Sequence, residues 1–155
     1  MSTPRWGEPN PLVRSTPCAP ADAARDDQPG GVLVADVRVL IVDDQAPFRR
    51  AMAAVVEETE GFVVIADAAS GEESLETAAA LRPDLVLMDV NLPGIDGLEA
   101  TRRLRAGDQP PVVLLLSTYD DTDGELFVAE SGAAGYVTKS AFGPDRLSAA
   151  WLSAR

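Results

Sequence analysis

From Val37 onward the chain alternates short apolar runs with amphipathic stretches, and this alternation restricts its fold more than any other feature. "VRVLIVD" (37–43), "FVVIADA" (62–68), "DLVLMD" (84–89), "PVVLLLS" (111–117) and "GYVTK" (135–139) each read as a strand. Near-continuous Val, Ile and Leu suit strands covered on both faces, as in a parallel sheet. The intervening stretches carry helix signals. Phe48, Met52, Val55 and Val56 recur at helical spacing in "APFRRAMAAVVEET". Ser70 stands as N-cap of "SGEESLETAAALRP", with Pro83 just past its end. "GLEATRRLRAG" is expected to close at Gly107, "TDGELFVAESGA" reads as a short helix, and Pro144 opens "PDRLSAAWLSAR".

Five βα units of this kind predict an α/β fold, a doubly wound five-stranded parallel sheet covered by helices on both faces. The flavodoxin-like strand order 2-1-3-4-5 suits five strands. Residues 1–36 differ: they are rich in Pro, Ala, Ser, Thr, Asp and Gly and lack apolar periodicity. They are expected to form a disordered tail, with 37–155 as the domain.

Bulk properties exclude several functions. A net charge of −12 argues against binding nucleic acid or an anionic membrane through general electrostatics. The chain has no histidine, so it offers no imidazole for metal binding, general base catalysis or phosphorylation. Its one cysteine, Cys18, cannot pair within the chain and suits a reducing compartment. No segment approaches the ~18–20 apolar residues of a membrane span. The N-terminus places prolines and charges where a signal peptide needs an apolar core, so a cytoplasmic protein is expected.

In a doubly wound sheet, ligands bind beyond the carboxyl ends of the strands, at the switch point between the first and third. There the sequence places Asp43 and Asp44 after the first strand and Asp89 at the end of the third. Ser117 ends the fourth, followed by Thr118, and Lys139 ends the fifth. Lys139 is the only lysine; the other twelve basic residues are arginine. Two carboxylates about 5 Å apart repel by about 3 kcal/mol at an effective dielectric of ~20, so three together need cations. Hard oxygen ligands with room for water suit Mg²⁺. A slim ammonium and a hydroxyl beside such a centre are arranged for phosphoryl transfer, with a carboxylate nucleophile forming an acyl phosphate. Asp89, delivered by the central strand, is the best candidate nucleophile.

These residues resemble the receiver domain of bacterial two-component response regulators. The resemblance covers about 37–155 and rests on "VLIVDDQAPFRRAM", "PDLVLMDVNLPGIDGLEATRRLR", "VVLLLSTYDD" and "GAAGYVTKS". The wording is most similar to receivers of the LuxR-type group. The resemblance implies that Asp89 is the phosphoacceptor and that Asp44, Asp89 and the backbone carbonyl of Asn91 ligate Mg²⁺, with Asp43 in support. It implies that Ser117 and Lys139 contact the phosphoryl oxygens and that Tyr136 is an aromatic switch coupled to Ser117. It further implies a sensor histidine kinase or phosphotransfer protein as phosphodonor, and an output protein or a second copy of the chain as partner. It implies a signalling protein rather than an enzyme in the main sense.

Two residues depart from the pattern. Ser140 follows Lys139 where many receivers have proline, so a trans bond is expected there. Thr118 is larger than the residue usual after the hydroxyl. LuxR-type regulators continue into a DNA-binding helix-turn-helix domain, whereas here only the last helix follows Lys139; a stand-alone receiver is therefore expected. Three readings compete with it. One is an interaction module that works without phosphorylation. Another is the receiver fragment of a longer DNA-binding regulator. The last is a flavin-binding protein, against which "DDQAP" stands, since it would repel phosphate.

Overall fold

The computed structural model describes residues 36–118 and 123–154. The expected tail, with Cys18, lies outside the described residues except for Asp36, which belongs to no strand. The elements follow the predicted alternation: β1 (Val37–Val42), α1 (Ala46–Glu58), β2 (Phe62–Ala68), α2 (Gly71–Leu81), β3 (Leu85–Asp89), α3 (Gly97–Arg105), β4 (Val112–Ser117), α4 (Gly124–Ser131), β5 (Gly135–Thr138) and α5 (Pro144–Ala154). The five strands are parallel in the order β2-β1-β3-β4-β5, as the sequence predicts.

Successive residues of each central strand feed opposite faces of the sheet. Leu40, Val42, Val86, Met88, Val113 and Leu115 pack with Ala78 of α2, Ala100 and Leu104 of α3, and Phe127 of α4. Val39, Ile41, Leu85, Leu87, Leu114 and Leu116 pack on the other face with Met52 and Val56 of α1 and Leu147 of α5. Every residue of β3 is buried, because helices cover both of its faces and a strand flanks each edge. β2 is an edge strand, as the predicted order requires, so its pattern is half-exposed and Val63 faces outward. A register shift between Val39 and Leu40 lets β2 advance an extra residue against β1.

Helix ends follow local chemistry. Ser70 Oγ accepts the Glu73 N–H at 3.0 Å, and Glu73 Oε1 in turn accepts the Ala69 N–H at 2.8 Å. Asp96 caps α3 through the Glu99 N–H at 2.8 Å. α2 closes on Arg82 at φ 53°, a left-handed conformation usually left to glycine. Arg38 answers the exposed carbonyls of that end, donating to Leu81 O at 2.7 Å and Arg82 O at 2.6 Å. α3 runs to Arg105 with Ala106 as its C-cap and the expected Gly107 directly after it. The Ala106 N–H shares the carbonyls of Arg102, Arg103 and Leu104, so the helix ends in a tightened right-handed turn. β5 ends one residue before Lys139, which instead opens a 3₁₀ turn over Lys139–Ala141. All described peptide bonds are trans, that before Ser140 included.

Candidate functional site

The sheet order brings the carboxyl ends of β1 and β3 side by side, with β4 and β5 next in line. Val42 pairs with Met88, Asp89 with Leu116, and Ser117 with Thr138, so the polar residues one step beyond converge at one edge. Asp43 is fully buried, Asp89 and Ser117 are nearly so, and Asp44 is exposed. Asp43, Asp44 and Asp89 each offer a carboxylate oxygen within 4.8 Å of the others. Three hard oxygen donors, one of them open to water, fit a divalent cation such as Mg²⁺ that keeps part of its hydration shell.

Lys139 closes the cluster. Its Nζ donates to Asp43 Oδ2 at 2.6 Å and lies 3.6 Å from Asp89 Oδ2, with the side chain only 10% exposed. A buried ammonium so placed offsets the repulsion that the paired carboxylates impose on each other. Asp43 is tied down on both sides. Its Oδ1 accepts the Gln45 N–H at 2.9 Å, and its backbone carbonyl accepts from Arg49 Nη1 at 2.7 Å. Arg49 also pairs with Asp67 at 3.2 Å, bracing the ends of β1 and β2 together. Asp89 Oδ1 accepts the Asn91 N–H at 3.3 Å. Burial, and then the Asp43 charge, push the Asp89 carboxyl up from its ordinary 3.8 to about 6; Lys139 and the Asn91 N–H pull the other way without prevailing.

The loop after β3 is held from outside the site. Glu72 of α2 accepts the Ile95 N–H at 3.2 Å and packs where a side chain on Gly94 (φ 75°) would sit. Gly97 allows α3 to begin directly against the backbone of Asp89, since a Cβ there would collide with the Asp89 carbonyl oxygen. Tyr136 lies on β5. Its half-buried ring packs edge-on to Phe127 at 6.1 Å and lies so close over Gly124 that a Cβ on Gly124 would strike it.

The structure therefore brings together Asp43, Asp44, Asp89 and Lys139 and sets Ser117 at the adjoining strand end. Asn91 contributes a backbone contact. Sequence reading missed Phe48, Arg49 and Glu72. Phe48 lies on the same side of α1 as Met52 and Val55, as its spacing predicts, and in addition Lys139 Nζ sits over its ring, 3.9 Å from the centroid. The signal available in the sequence was its position one helical turn after the acidic pair.

A 2-1-3-4-5 sheet whose strand ends gather three carboxylates about one ammonium defines the receiver class of signalling domain. The chain belongs to the response regulator receiver domain family of two-component systems, whose model matches residues 39–151. Among curated relatives, response regulator GacA of Pseudomonas viridiflava is 42% identical over 105 residues, covering 68% of this chain and 49% of that protein. Response regulator UvrY of Escherichia coli O157:H7 is 34% identical over 113 residues, covering 73% and 52%. The chain thus spans about half the length of these relatives. Among solved structures, a LuxR-family two-component response regulator from Aurantimonas sp. SI85-9A1 superposes with a TM-score of 0.69 at 34% identity, covering 77% of this chain and 84% of that one. The signal receiver domain of the NarL regulator of Mycobacterium tuberculosis gives 0.68 at 28% identity, covering 77% and 97%. Among the described residues no helix is long and apolar enough to cross a membrane.

Proposed function

We propose that the domain is a phosphoacceptor of a two-component phosphorelay, phosphorylated on Asp89 by a partner histidine kinase or phosphotransfer protein. The observation that carries this reading is the buried Asp89 carboxylate, at the switch point, with Lys139 3.6 Å from Oδ2 and Asp43 and Asp44 within 4.8 Å. Asp44, Asp89 and the Asn91 carbonyl would hold Mg²⁺, with Asp43 in support. When bound, the ion would neutralise the carboxylates and the charge of the incoming phosphoryl group.

The chain's own groups supply the rest. Asp89 Oδ2 attacks phosphorus as the donor's P–N bond breaks; a P–O bond forms, and the departing imidazole takes a proton from solvent. The Lys139 ammonium lies beside the oxygen that becomes esterified, so it draws the phosphoryl oxygens toward itself. The Ser117 hydroxyl at the end of β4 donates to another of them. Because Asp43 already holds Lys139 from the far side, the ammonium does not have to be ordered when the phosphoryl group arrives. Movement of Ser117 toward the phosphoryl group, coupled to Tyr136, would re-shape the α4–β5–α5 surface for an output protein or a second copy of the chain. Phosphoryl transfer with acetyl phosphate as donor follows the same course, with acetate as leaving group.

Intact mass measured after incubation with acetyl phosphate tests the reading. The expected result is a gain of one phosphoryl group that requires Mg²⁺ and disappears in Asp89→Asn. A folded wild-type protein that gains no mass, beside an active control receiver, would favour an interaction module that works without phosphorylation.

A further inference from the structure

Phe48 is a large aromatic on a helix, yet it is not among the apolar residues packed on either core cluster. It forms one wall of a cavity of about 280 Å³ that Met52, Val55, Leu116, Lys139 and Phe142 also line. The Lys139 ammonium lies over its ring, 3.9 Å from the centroid. That ammonium has three N–H groups. Asp43 Oδ2 takes one at 2.6 Å, Asp89 Oδ2 lies 3.6 Å away, and the Phe48 ring lies against the ammonium as a third neighbour. A cation over an aromatic face in a desolvated setting gains appreciably more than one at the surface.

We propose that Phe48 is a positioning residue for phosphoryl transfer: its ring backs the sole lysine, aims the ammonium at Asp89 and keeps water from its third side. The role rests on the phosphoacceptor reading of Asp89. The step it assists is the one already written: Asp89 oxygen bonds to phosphorus, the bond from phosphorus to the donor breaks, and the leaving group departs with its electron pair. Phe48 touches none of the reacting atoms and acts through Lys139. Without the ring the side chain retains its Asp43 pairing, but the cavity beneath gives it alternative rotamers and admits water. The ammonium then spends less time directed at Asp89 and has water competing for its third N–H.

The composition of the chain makes the test direct. Because Lys139 is the only lysine, ¹³C-lysine labelling of the full chain yields one side-chain ε signal. In the wild type, the ε protons should be shifted upfield by the ring beside them. Phe48→Leu, which keeps apolar bulk and removes the π face, should return them toward the ordinary lysine position; Phe48→Tyr should retain the shift. Phosphorylation by acetyl phosphate with Mg²⁺ should slow about tenfold in Phe48→Leu, the loss of one desolvated contact of this kind. It should stay near wild type in Phe48→Tyr. In a Lys139→Ala background, Phe48→Leu should have no further effect, because coupled groups are not additive. An ε signal and a rate both unchanged in Phe48→Leu would overturn the role, as would a tenfold loss that persists undiminished in Lys139→Ala. A wild-type protein that takes up no phosphoryl group would instead overturn the phosphoacceptor reading, and the role of Phe48 with it.

Discussion

At the scale of single residues, the loop after β3 is built on close backbone approaches. Gly97 is the sharpest case, because any Cβ there meets the carbonyl oxygen of Asp89, a backbone atom that cannot turn aside. Gly97→Ala should therefore push α3 away from β3 and displace the Asp89 carboxylate, costing about 1–3 kcal/mol. Urea unfolding measures the cost, and the phosphorylation rate should fall with it; a variant as stable and as fast as wild type would contradict the contact. Residue identity was legible where the fold itself dictates position. Asp43, Asp89, Ser117 and Lys139 stand at the ends of apolar runs, and strand ends in a doubly wound sheet have one destination. The partner of Phe48 was not legible. Helical spacing says which face of α1 a residue occupies, but not that a lysine from the far edge of the sheet would cover its ring. Arg82 was equally opaque: its left-handed φ of 53° is sustained by Arg38, far away in sequence, which satisfies the carbonyls of that turn.

At the scale of elements, caps and edges decide the boundaries. The start of α2 was readable because the Ser70–Glu73 pair is a local signal and needs no tertiary partner. Ser70→Ala should destabilise the domain by about 1 kcal/mol through the orphaned Glu73 N–H. Urea unfolding should show a lower midpoint with an unchanged slope, since the surface exposed on unfolding is the same; a midpoint equal to wild type would mean that the Glu73 side chain alone suffices. The end of α3 was legible in position, since Gly107 directly follows the Ala106 C-cap, but not in geometry, because a glycine there does not force a left-handed cap. Three carbonyls already share the Ala106 N–H, and the Gly107 N–H reaches Leu104 O at 3.4 Å in a tightened right-handed turn. The predicted order 2-1-3-4-5 already places β2 at an edge, and its half-exposed pattern follows from that position.

At the scale of the whole molecule, the acidic site works against the fold that holds it, and pH and metal should reveal this. The folded state raises the Asp89 carboxyl from 3.8 to about 6, so folding favours its protonated form. Below pH 3.8 the carboxyl is protonated whether the chain is folded or not, and it imposes no cost. As the pH rises from 3.8 to about 6, the unfolded chain ionises first and stability declines; above that the folded state carries the buried charge and the loss levels off. Asp89→Asn removes the titrating group and leaves Lys139 paired with Asp43, so in the absence of metal it should be more stable than wild type at pH 7.5 and lose that advantage toward pH 4. Taking wild type minus variant by urea unfolding at each pH cancels the carboxylates remote from Asp89, which titrate alike in both. Millimolar Mg²⁺ at pH 7.5 should raise the wild-type melting temperature by mass action and narrow the gap, because binding the folded state alone offsets the carboxylate repulsion. A difference that stays flat from pH 4 to 7.5, with a melt indifferent to Mg²⁺, would mean that Asp89 is neither strained by burial nor part of a cation site.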